Sequence, residues 1–311
     1  MAPPVSKSIF GAANLGVFDM GEMSLTETMR AASEAMDLGI NTFDCADIYG
    51  LGAAEENLAA ALGNQIKSAH IISKYGVAWG SRNYSSRVRT YRDCSPAYLQ
   101  QALDASLQRL GCEKIDTYFV HWPDNVTPLA EISGALEAAK KSGKIGEYGF
   151  SNFPVSTIRV AIERGEASPA WIQAECNLLS SDAHLSDLRG LRDSGVSIMV
   201  YGTLAQGYLT GKFNEPPNFL ESDRRARMQH FNPDFFMKNI SILKVLEKIS
   251  KATNLSMGQV ATAWCLESGL ADAAIVGIKS RKQLQEAAGV LSGPYLGSFL
   301  EVLNEARQRP T

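Results

Sequence analysis

Short runs of apolar, often β-branched residues alternate with longer mixed segments along the whole chain. Near-continuous apolar character over a few residues is typical of strands that are covered on both faces in a parallel sheet. Eight such strands are predicted, at Ser8–Gly11, Asn41–Asp44, Ala69–Ser73, Ile115–His121, Ile145–Phe150, Ile172–Glu175, Ser197–Tyr201 and Ala274–Val276.

The longer segments between these strands have helical patterns with clear start and stop signals. Ser95 and Pro96 offer an N-cap followed by proline at the first helical position. Ser256 with Gln259 forms a capping box, and Gly111 stands where a helix is expected to end. The predicted helices are Thr26–Leu38, Glu55–Leu62, Ser95–Leu110, Pro128–Ser142, Pro154–Arg164, Leu185–Asp193, Met237–Ala252, Met257–Glu267 and Gln283–Leu291.

Eight strand–helix units without a linker between them predict an α/β fold, a single (β/α)8 TIM barrel domain over residues 1–311. Two connections are unusually long, Tyr75–Cys94 after the third strand and Thr203–Phe236 after the seventh. Long loops in compact domains are often binding loops or lids. Both follow strand ends, where barrel active sites lie.

Composition excludes several classes of function. The 311 residues are 45% hydrophobic with a net charge of −3, which argues against a nucleic-acid partner. No secretory signal pattern and no apolar run of about 20 residues stands in the chain, so no membrane partner is predicted. The five cysteines form no C-x-x-C pair, which favours reduced thiols in a cytoplasmic compartment. The four histidines are not spaced as metal ligands, so no metal is predicted, and the oligomeric state stays open.

Polar side chains stand at the carboxyl ends of three neighbouring predicted strands. Asp44 ends the second strand, Lys74 follows the third, His121 ends the fourth, and Tyr49 lies on the loop after Asp44. Tyrosine titrates at about 10, so it is a poor acid at neutral pH unless loss of its proton is eased. A nearby lysine would stabilise the tyrosinate, and an aspartate would hold the lysine charged. With a histidine to orient the oxygen, the set suits protonation of a carbonyl oxygen while a hydride arrives at carbon.

Each of these four residues has an ordinary structural interpretation when taken alone. A single aspartate is more often a helix cap, a lysine a solvated charge, and a histidine or tyrosine a packing residue. Four complementary roles on adjacent strand ends favour the functional interpretation. The glycines of the following "YGLG" imitate a Rossmann phosphate loop, but Glu55 stands where its third glycine is needed.

Six segments resemble, in chain order, the signature segments of the aldo-keto reductase superfamily: "TFDCADIYGLGAAEENL", "ISKYG", "FVHWPD", "YGFSNF", "QAECNLL" and "VYGTLAQGYLTGK". The resemblance runs from about Phe10 to Leu291. It implies a (β/α)8 barrel that binds a nicotinamide cofactor without a Rossmann fold. It also implies that Tyr49 is the general acid and that Lys74, held by Asp44, lowers the pKa of Tyr49. His121 is then the residue that positions the substrate oxygen.

The resemblance further implies a set of cofactor-binding residues. Ser151, Asn152 and Gln173 match positions that bind the nicotinamide carboxamide, and Tyr201 matches the aromatic residue that stacks on the ring. Leu204 and Gly207 lie in the segment expected over the pyrophosphate. At the adenosine end the matching residues are Lys279, Ser280, Gln283 and Glu286. A lysine beside a hydroxyl suits a 2′-phosphate, so NADPH is favoured over NADH. Val276 and Ala287 depart from the family pattern at this end.

The substrate is predicted less sharply than the cofactor. Trp79 and Trp122 are expected to supply apolar walls of the substrate pocket. The Tyr75–Cys94 loop carries four arginines, which suit an anionic or sugar-like carbonyl compound; a solvated loop is the other interpretation. These arginines are Arg82, Arg87, Arg89 and Arg92.

Three functions remain open at this point. The first is reduction of an aldehyde or ketone with NADPH, and the second is oxidation of a sugar or polyol on the same scaffold. The third is a slow, cofactor-sensing subunit resembling the potassium-channel β subunits. A lyase using Lys74 as a Schiff base is a remote fourth, because it leaves Asn152, Gln173 and Tyr201 without a purpose.

Overall fold

The predicted barrel is confirmed in a computed structural model, which describes residues 4–16, 24–80, 90–221, 223–291 and 296–308. Eight parallel strands close in the order β1-β10-β9-β8-β7-β6-β3-β2. Their bounds are β1 Ser8–Gly11, β2 Thr42–Asp44, β3 His70–Tyr75, β6 Ile115–Val120, β7 Ile145–Ser151, β8 Trp171–Glu175, β9 Ser197–Tyr201 and β10 Ala273–Gly277. The first strand pairs with both β2 and β10, which closes the barrel.

The interior of the barrel and the layer between barrel and helices form separate hydrophobic clusters. Alternate strand residues point inward, so Ile72 and Phe119 meet inside the barrel while their neighbours Ile71 and Tyr118 face the helices. The inner cluster consists of Ile9, Ile72, Phe119, Met199, Ala273 and Ile275. Because side chains fill the barrel, polar groups can gather only at its ends.

Eleven α-helices lie within the described residues. They are α1 Leu25–Glu34, α2 Ala53–Leu62, α3 Pro96–Leu110, α4 Leu129–Lys141, α5 Val155–Glu163, α6 Asp182–Asp193, α7 Pro233–Lys238, α8 Ile240–Thr253, α9 Met257–Glu267, α10 Arg281–Gly289 and α11 Phe299–Gln308. The local signals act as expected. Ser95 caps α3 through the backbone nitrogen of Tyr98, and Ser256 with Gln259 forms the capping box of α9.

Four details differ from the sequence-based expectation. The single helix expected over Met237–Ala252 is divided at Asn239 into α7 and α8. Helix α11, which was not predicted, packs against α8 and α9. Strand β3 extends to Tyr75, so Lys74 lies within the strand. The Tyr75–Cys94 connection holds an antiparallel hairpin of β4 Val77–Trp79 and β5 Thr90–Arg92.

The second long connection, Thr203–Phe236, is built from 3-10 turns at Ala205–Thr210, Arg224–Arg227 and Gln229–Phe231 before α7 begins. Both long connections lie at the carboxyl end of the barrel. Among the helices that the structure describes, none combines the length and apolar character that crossing a bilayer requires.

Candidate active site

A buried ion pair joins the ends of β2 and β3. The Lys74 ammonium donates to Asp44 Oδ1 at 2.6 Å and to the Cys45 carbonyl at 2.7 Å. The Gln173 amide donates to the other Asp44 oxygen at 2.6 Å. Burial disfavours the ammonium, but the charge and the hydrogen bond of Asp44 oppose it, and the pKa of Lys74 lies above its ordinary value. Lys74 therefore stays charged at neutral pH, paired with Asp44.

Tyr49 lies between this ammonium and His121. The Lys74 Nζ is 5.3 Å from the centroid of the tyrosine ring, and the His121 ring meets it edge-on at 5.7 Å. Burial is the largest influence on Tyr49 and raises the pKa of its hydroxyl; Lys74 acts in the opposite direction without cancelling it. Lys74 thus acts on Tyr49 in the direction expected from the sequence, but burial, which the sequence did not reveal, acts more strongly, so Tyr49 holds its proton throughout the neutral range.

The glycines after Tyr49 serve backbone packing. Gly50 has φ +61°, and a Cβ there would collide with the Gly16 carbonyl. A Cβ on Gly16 would in turn lie 2.7 Å from the Gly50 nitrogen. Two turns, one after β1 and one after β2, thus touch backbone to backbone, which fixes the loop that carries Tyr49.

His121 is held as a neutral imidazole. Burial and the Lys74 charge both lower the pKa of His121 well below its ordinary value. Its backbone nitrogen donates to the Tyr75 carbonyl at 2.7 Å, which fixes the residue just beyond β6. The ring nitrogen Nδ1 is buried and meets no hydrogen-bond partner among the described residues. A neutral imidazole has one N–H to donate and one nitrogen to accept.

Three of the residues predicted to hold the nicotinamide meet at the ends of β7 and β9. The Asn152 amide nitrogen donates to the His121 carbonyl at 2.8 Å and to Ser151 Oγ at 3.1 Å, and Tyr201 donates to Asn152 Oδ1 at 2.6 Å. Asn152 has φ +61°, a conformation that asparagine tolerates. The Gln173 amide nitrogen gives one of its two N–H groups to Asp44, and its carbonyl oxygen is an acceptor on the same side chain.

The segment around Leu204 and Gly207 has an unusual backbone. Ala205 and Gln206, at φ +44° and +50°, are both in the left-handed region, and Gly207 follows at φ +100°. Consecutive non-glycine residues of this kind are strained and cluster at functional sites. The Gln206 Oε1 is buried without a hydrogen-bond partner among the described residues. The strained turn and the orphaned acceptor both fit a segment shaped to lie against a ligand.

At the predicted adenosine end, Ser280 and Gln283 form hydrogen bonds at the beginning of α10. Ser280 Oγ accepts from the Gln283 nitrogen at 3.3 Å, and Gln283 Oε1 accepts from the Lys279 nitrogen at 2.9 Å. Burial and the nearby charges of Lys212 and Arg225 lower the pKa of Lys279. Three cations thus gather at the beginning of α10, whose N-terminus is itself favourable for an anion. Glu286 lies further along this helix, half-buried.

The predicted substrate residues lie on the loops beside His121. Trp79 is half-buried on the hairpin, and Trp122 is 37% exposed directly after His121. Of the four arginines predicted here, Arg92 is described and its guanidinium lies 4.8 Å from the Trp122 ring centroid. Arg82, Arg87 and Arg89 fall outside the described residues.

From the sequence, the run "DRRAR" at Asp223–Arg227 in the second long loop is interpreted first as surface charge and only second as a lid over the cofactor phosphates. Arg224 acts electrostatically on Tyr49, Glu175 and Tyr201, so its charge lies near the strand ends. Arg225 is bound to Asp223 at 2.6 Å and helps form the cation cluster around Lys279. The charges of Arg224 and Arg225 thus act at the strand ends and at Lys279, which favours the second interpretation over simple surface charge.

The model of the Aldo/keto reductase family matches residues 8–305. The chain belongs to this family. It is therefore an enzyme of the class that uses NAD(P)H and acts on carbonyl and alcohol groups.

Curated relatives are similar over most of their length. An aldo-keto reductase of Schizosaccharomyces pombe, yakc, designated with NADP(+), is 30% identical and covers 95% of this chain and 87% of its own. The L-glyceraldehyde 3-phosphate reductase of Escherichia coli is 31% identical, with 90% and 84% covered. The NADH-specific methylglyoxal reductase of Escherichia coli is 29% identical, with 83% and 81% covered.

A solved structure shares the barrel closely. The glycerol dehydrogenase from Gluconobacter oxydans superposes with a TM-score of 0.90 at 28% identity, covering all of this chain and 94% of that one. Names among these relatives thus include both reductases and a dehydrogenase, and both nicotinamide cofactors.

Proposed function

We propose that this protein reduces an aldehyde or ketone to an alcohol with NADPH, with Tyr49 as the general acid. The observation that carries the proposal is the convergence of three side chains around Tyr49. The Lys74 ammonium lies 5.3 Å from its ring, Asp44 holds that ammonium at 2.6 Å, and the His121 ring lies 5.7 Å away.

Three residues of the chain have different roles at the carbonyl oxygen. When bound, a reduced nicotinamide supplies a hydride to the carbonyl carbon. Tyr49 keeps its proton at neutral pH and donates it to the oxygen as charge develops there. The Lys74 ammonium, kept charged by Asp44, lowers the cost of the resulting tyrosinate. The neutral His121 ring offers an N–H that orients the same oxygen.

The polar groups at the strand ends fit a nicotinamide cofactor. Ser151, Asn152 and Gln173 present hydroxyl and amide groups at neighbouring strand ends, and a buried carboxamide needs such partners. Tyr201, tied to Asn152, offers a fixed aromatic ring beside them. The strained segment at Ala205–Gly207 would lie along the pyrophosphate, with Leu204 at its start. The adenosine would lie toward α10, near Gln283 and Glu286.

Charge at α10 favours NADPH over NADH. Burial and the charges of Lys212 and Arg225 lower the pKa of Lys279 there, with Asp223 and Glu27 acting in the opposite direction, and a bound dianion would relieve the remaining repulsion. Ser280 stands at the cap of the same helix. The additional 2′-phosphate of NADPH supplies such a dianion.

Replacing Tyr49 tests the proposed role directly. The Tyr49→Phe variant should lose about 10²–10⁴-fold in the rate of NADPH oxidation by a reactive aromatic aldehyde, because the general acid is gone. Its affinity for NADPH should stay within about threefold, since the phenol is not among the residues proposed to bind cofactor. Single-turnover loss of reduced nicotinamide absorbance gives the rate, and fluorescence titration gives the affinity.

Tyr148→Phe is the matched control. The Tyr148 hydroxyl accepts from the Ser168 nitrogen at 3.0 Å, at the opposite end of the barrel. This variant should retain turnover. Undiminished turnover in Tyr49→Phe would refute the assignment of Tyr49.

The second candidate is oxidation of a polyol by the same residues in reverse. The structural similarity to a glycerol dehydrogenase favours it. In that direction Tyr49 must act as the phenolate, and burial works against this by raising its pKa. Comparing initial rates of aldehyde reduction and glycerol oxidation at neutral pH separates the two, and faster glycerol oxidation would replace the first proposal by the second.

A further inference from the structure

The β4–β5 hairpin places two of its side chains on the face turned toward the loop after β6. Val77 lies opposite Arg92 and Trp79 opposite Thr90 in the antiparallel register. Side chains alternate along a strand, so Trp79 and Arg92 share a face while Tyr91 projects from the other. Because the Arg92 guanidinium lies 4.8 Å from the Trp122 ring centroid, this shared face is directed at Trp122.

Hydrogen bonds hold both partners of this stack in place. An Arg92 guanidinium N–H donates to the Pro123 carbonyl at 3.3 Å. Asp124 accepts from the Cys94 nitrogen at 2.9 Å, which ties the end of the hairpin to the loop after β6. Asp124 also accepts from Val126 and Thr127, and these bonds lower the pKa of its carboxyl to about 2. The anchor therefore stays ionised across the neutral range.

The charge of Arg92 is not neutralised by an ion pair with any carboxylate that the structure describes. Its two acidic neighbours are committed to backbone donors, Asp93 to the Ser95 nitrogen and Asp124 to the Cys94 nitrogen. Stacking uses the flat face of a guanidinium, whereas its five N–H donors lie in the plane around the edge. With Pro123 taking one donor, the exposed edge keeps the paired N–H groups that bind phosphate or carboxylate in bidentate form.

We infer that Arg92 is the specificity-determining residue of this enzyme and binds the anionic group of a short-chain aldehyde substrate. The inference rests on the proposed function, which places the substrate carbonyl at Tyr49 and His121. Trp122 directly follows His121, whose ring lies 5.7 Å from Tyr49. On this inference, a short aldehyde with its carbonyl at Tyr49 and His121 extends toward the Arg92–Trp122 stack. Phosphate and carboxylate share the chemistry that this fork recognises.

The ratio of kcat/KM for a phosphorylated and a neutral aldehyde measures how strongly Arg92 binds the anionic group. For wild type, kcat/KM with NADPH is compared for glyceraldehyde 3-phosphate and for glyceraldehyde, which differ by the phosphate alone; succinic semialdehyde reports on a carboxylate. In Arg92→Met the ratio of phosphorylated to neutral substrate should fall about 10- to 100-fold, mainly through KM, the size expected for losing a hydrogen bond to a charged group.

Arg164→Met is the control, since it removes the same charge from an exposed position after α5. It should leave the ratio unchanged. A loss with the phosphate alone identifies phosphate as the group, and a loss with succinic semialdehyde alone identifies a carboxylate. An Arg92→Met ratio equal to that of wild type for both anions would overturn the inference.

A binding measurement keeps the test independent of turnover. Glycerol 3-phosphate and glycerol are titrated against wild type and both variants, following intrinsic tryptophan fluorescence, to which Trp79 and Trp122 contribute. Wild type and Arg164→Met should bind glycerol 3-phosphate more tightly than glycerol, and Arg92→Met should lose that preference. If no aldehyde is turned over but this preference depends on Arg92, the proposed function fails and the anion site stands. Equal binding by Arg92→Met and wild type would reject the site.

Discussion

At the scale of single residues, burial decides the protonation states near the active site. Tyr49 and His121 are both held in their neutral forms, the one by a raised and the other by a lowered pKa. Asp47, two residues before Tyr49, is fully buried, and neither carboxylate oxygen meets a hydrogen-bond partner among the described residues. Burial and the Glu55 carboxylate raise its pKa well above the ordinary value. Asp47 therefore keeps its proton to higher pH in the folded enzyme than in the unfolded chain.

Asp47→Asn should stabilise the protein increasingly as pH rises. In the unfolded chain Asp47 ionises above about pH 4, while the folded state keeps the proton, so wild-type stability falls with rising pH. The slope for one such group is at most about 1.4 kcal/mol per pH unit. An amide has no proton to lose, so the variant lacks this slope. Urea unfolding at pH 5 and pH 8 measures the difference.

The exposed Asp37→Asn provides the comparison for this experiment. Its free energy of unfolding should follow that of wild type at both pH values. Parallel curves for Asp47→Asn and wild type would mean that Asp47 is ionised in the folded state.

At the scale of elements, local signals predicted the structure where one side chain closes its own helix. Each of these side chains accepts a hydrogen bond from a backbone nitrogen three residues away, as Ser95, Ser256 and Gln259 do, so the caps can be predicted from the sequence. The division at Asn239 and the hairpin in the Tyr75–Cys94 loop were not predicted. Asn239 is buried, and its amide donates back to the Phe235 carbonyl at 2.9 Å. The hairpin is anchored by Asp124, about 30 residues further along. Contacts this distant leave no local pattern.

The N-terminus of α10 gives the element-scale prediction. Lys279→Met should weaken NADPH binding about 10- to 100-fold relative to NADH, because a charged partner of the proposed 2′-phosphate is removed. Fluorescence titration with each cofactor measures this. Lys67→Met, exposed just before β3 at the other end of the barrel, should change neither affinity. An equal loss for NADPH and NADH would move the phosphate site elsewhere.

At the scale of the whole molecule, closure of the barrel requires close approach of its strands and tight packing inside. Gly149 lies in β7 where an added Cβ would collide with the Trp171 carbonyl on β8 and with the Phe119 ring from the inner cluster. Neither neighbour is a flexible side-chain end. The glycine therefore makes room for Phe119 within the barrel.

Gly149→Ala should destabilise the fold by about 1–3 kcal/mol, the usual cost of overpacking a filled core. Gly134→Ala on α4 is the matched control, because its added Cβ meets nothing within 4 Å and its position is exposed. That change should stabilise the helix by about 0.5–1 kcal/mol. Thermal unfolding midpoints of the two variants test the predicted loss of stability for Gly149→Ala and the predicted gain for Gly134→Ala. A higher midpoint for Gly149→Ala would show that the barrel interior has room for a methyl group.

The alternation of buried strands and capped helices in the sequence determined the barrel, since each strand and helix carries its own pattern. The same alternation placed Asp44, Tyr49, Lys74 and His121 at one end of it, because parallel strands share their carboxyl edge. Only the tertiary structure decided that burial outweighs Lys74 at Tyr49. It also decided that Arg92 stacks on Trp122 and that Lys212 and Arg225 join Lys279. These outcomes depend on how far loops fold back across the barrel, and that distance is set by contacts between residues far apart in the chain.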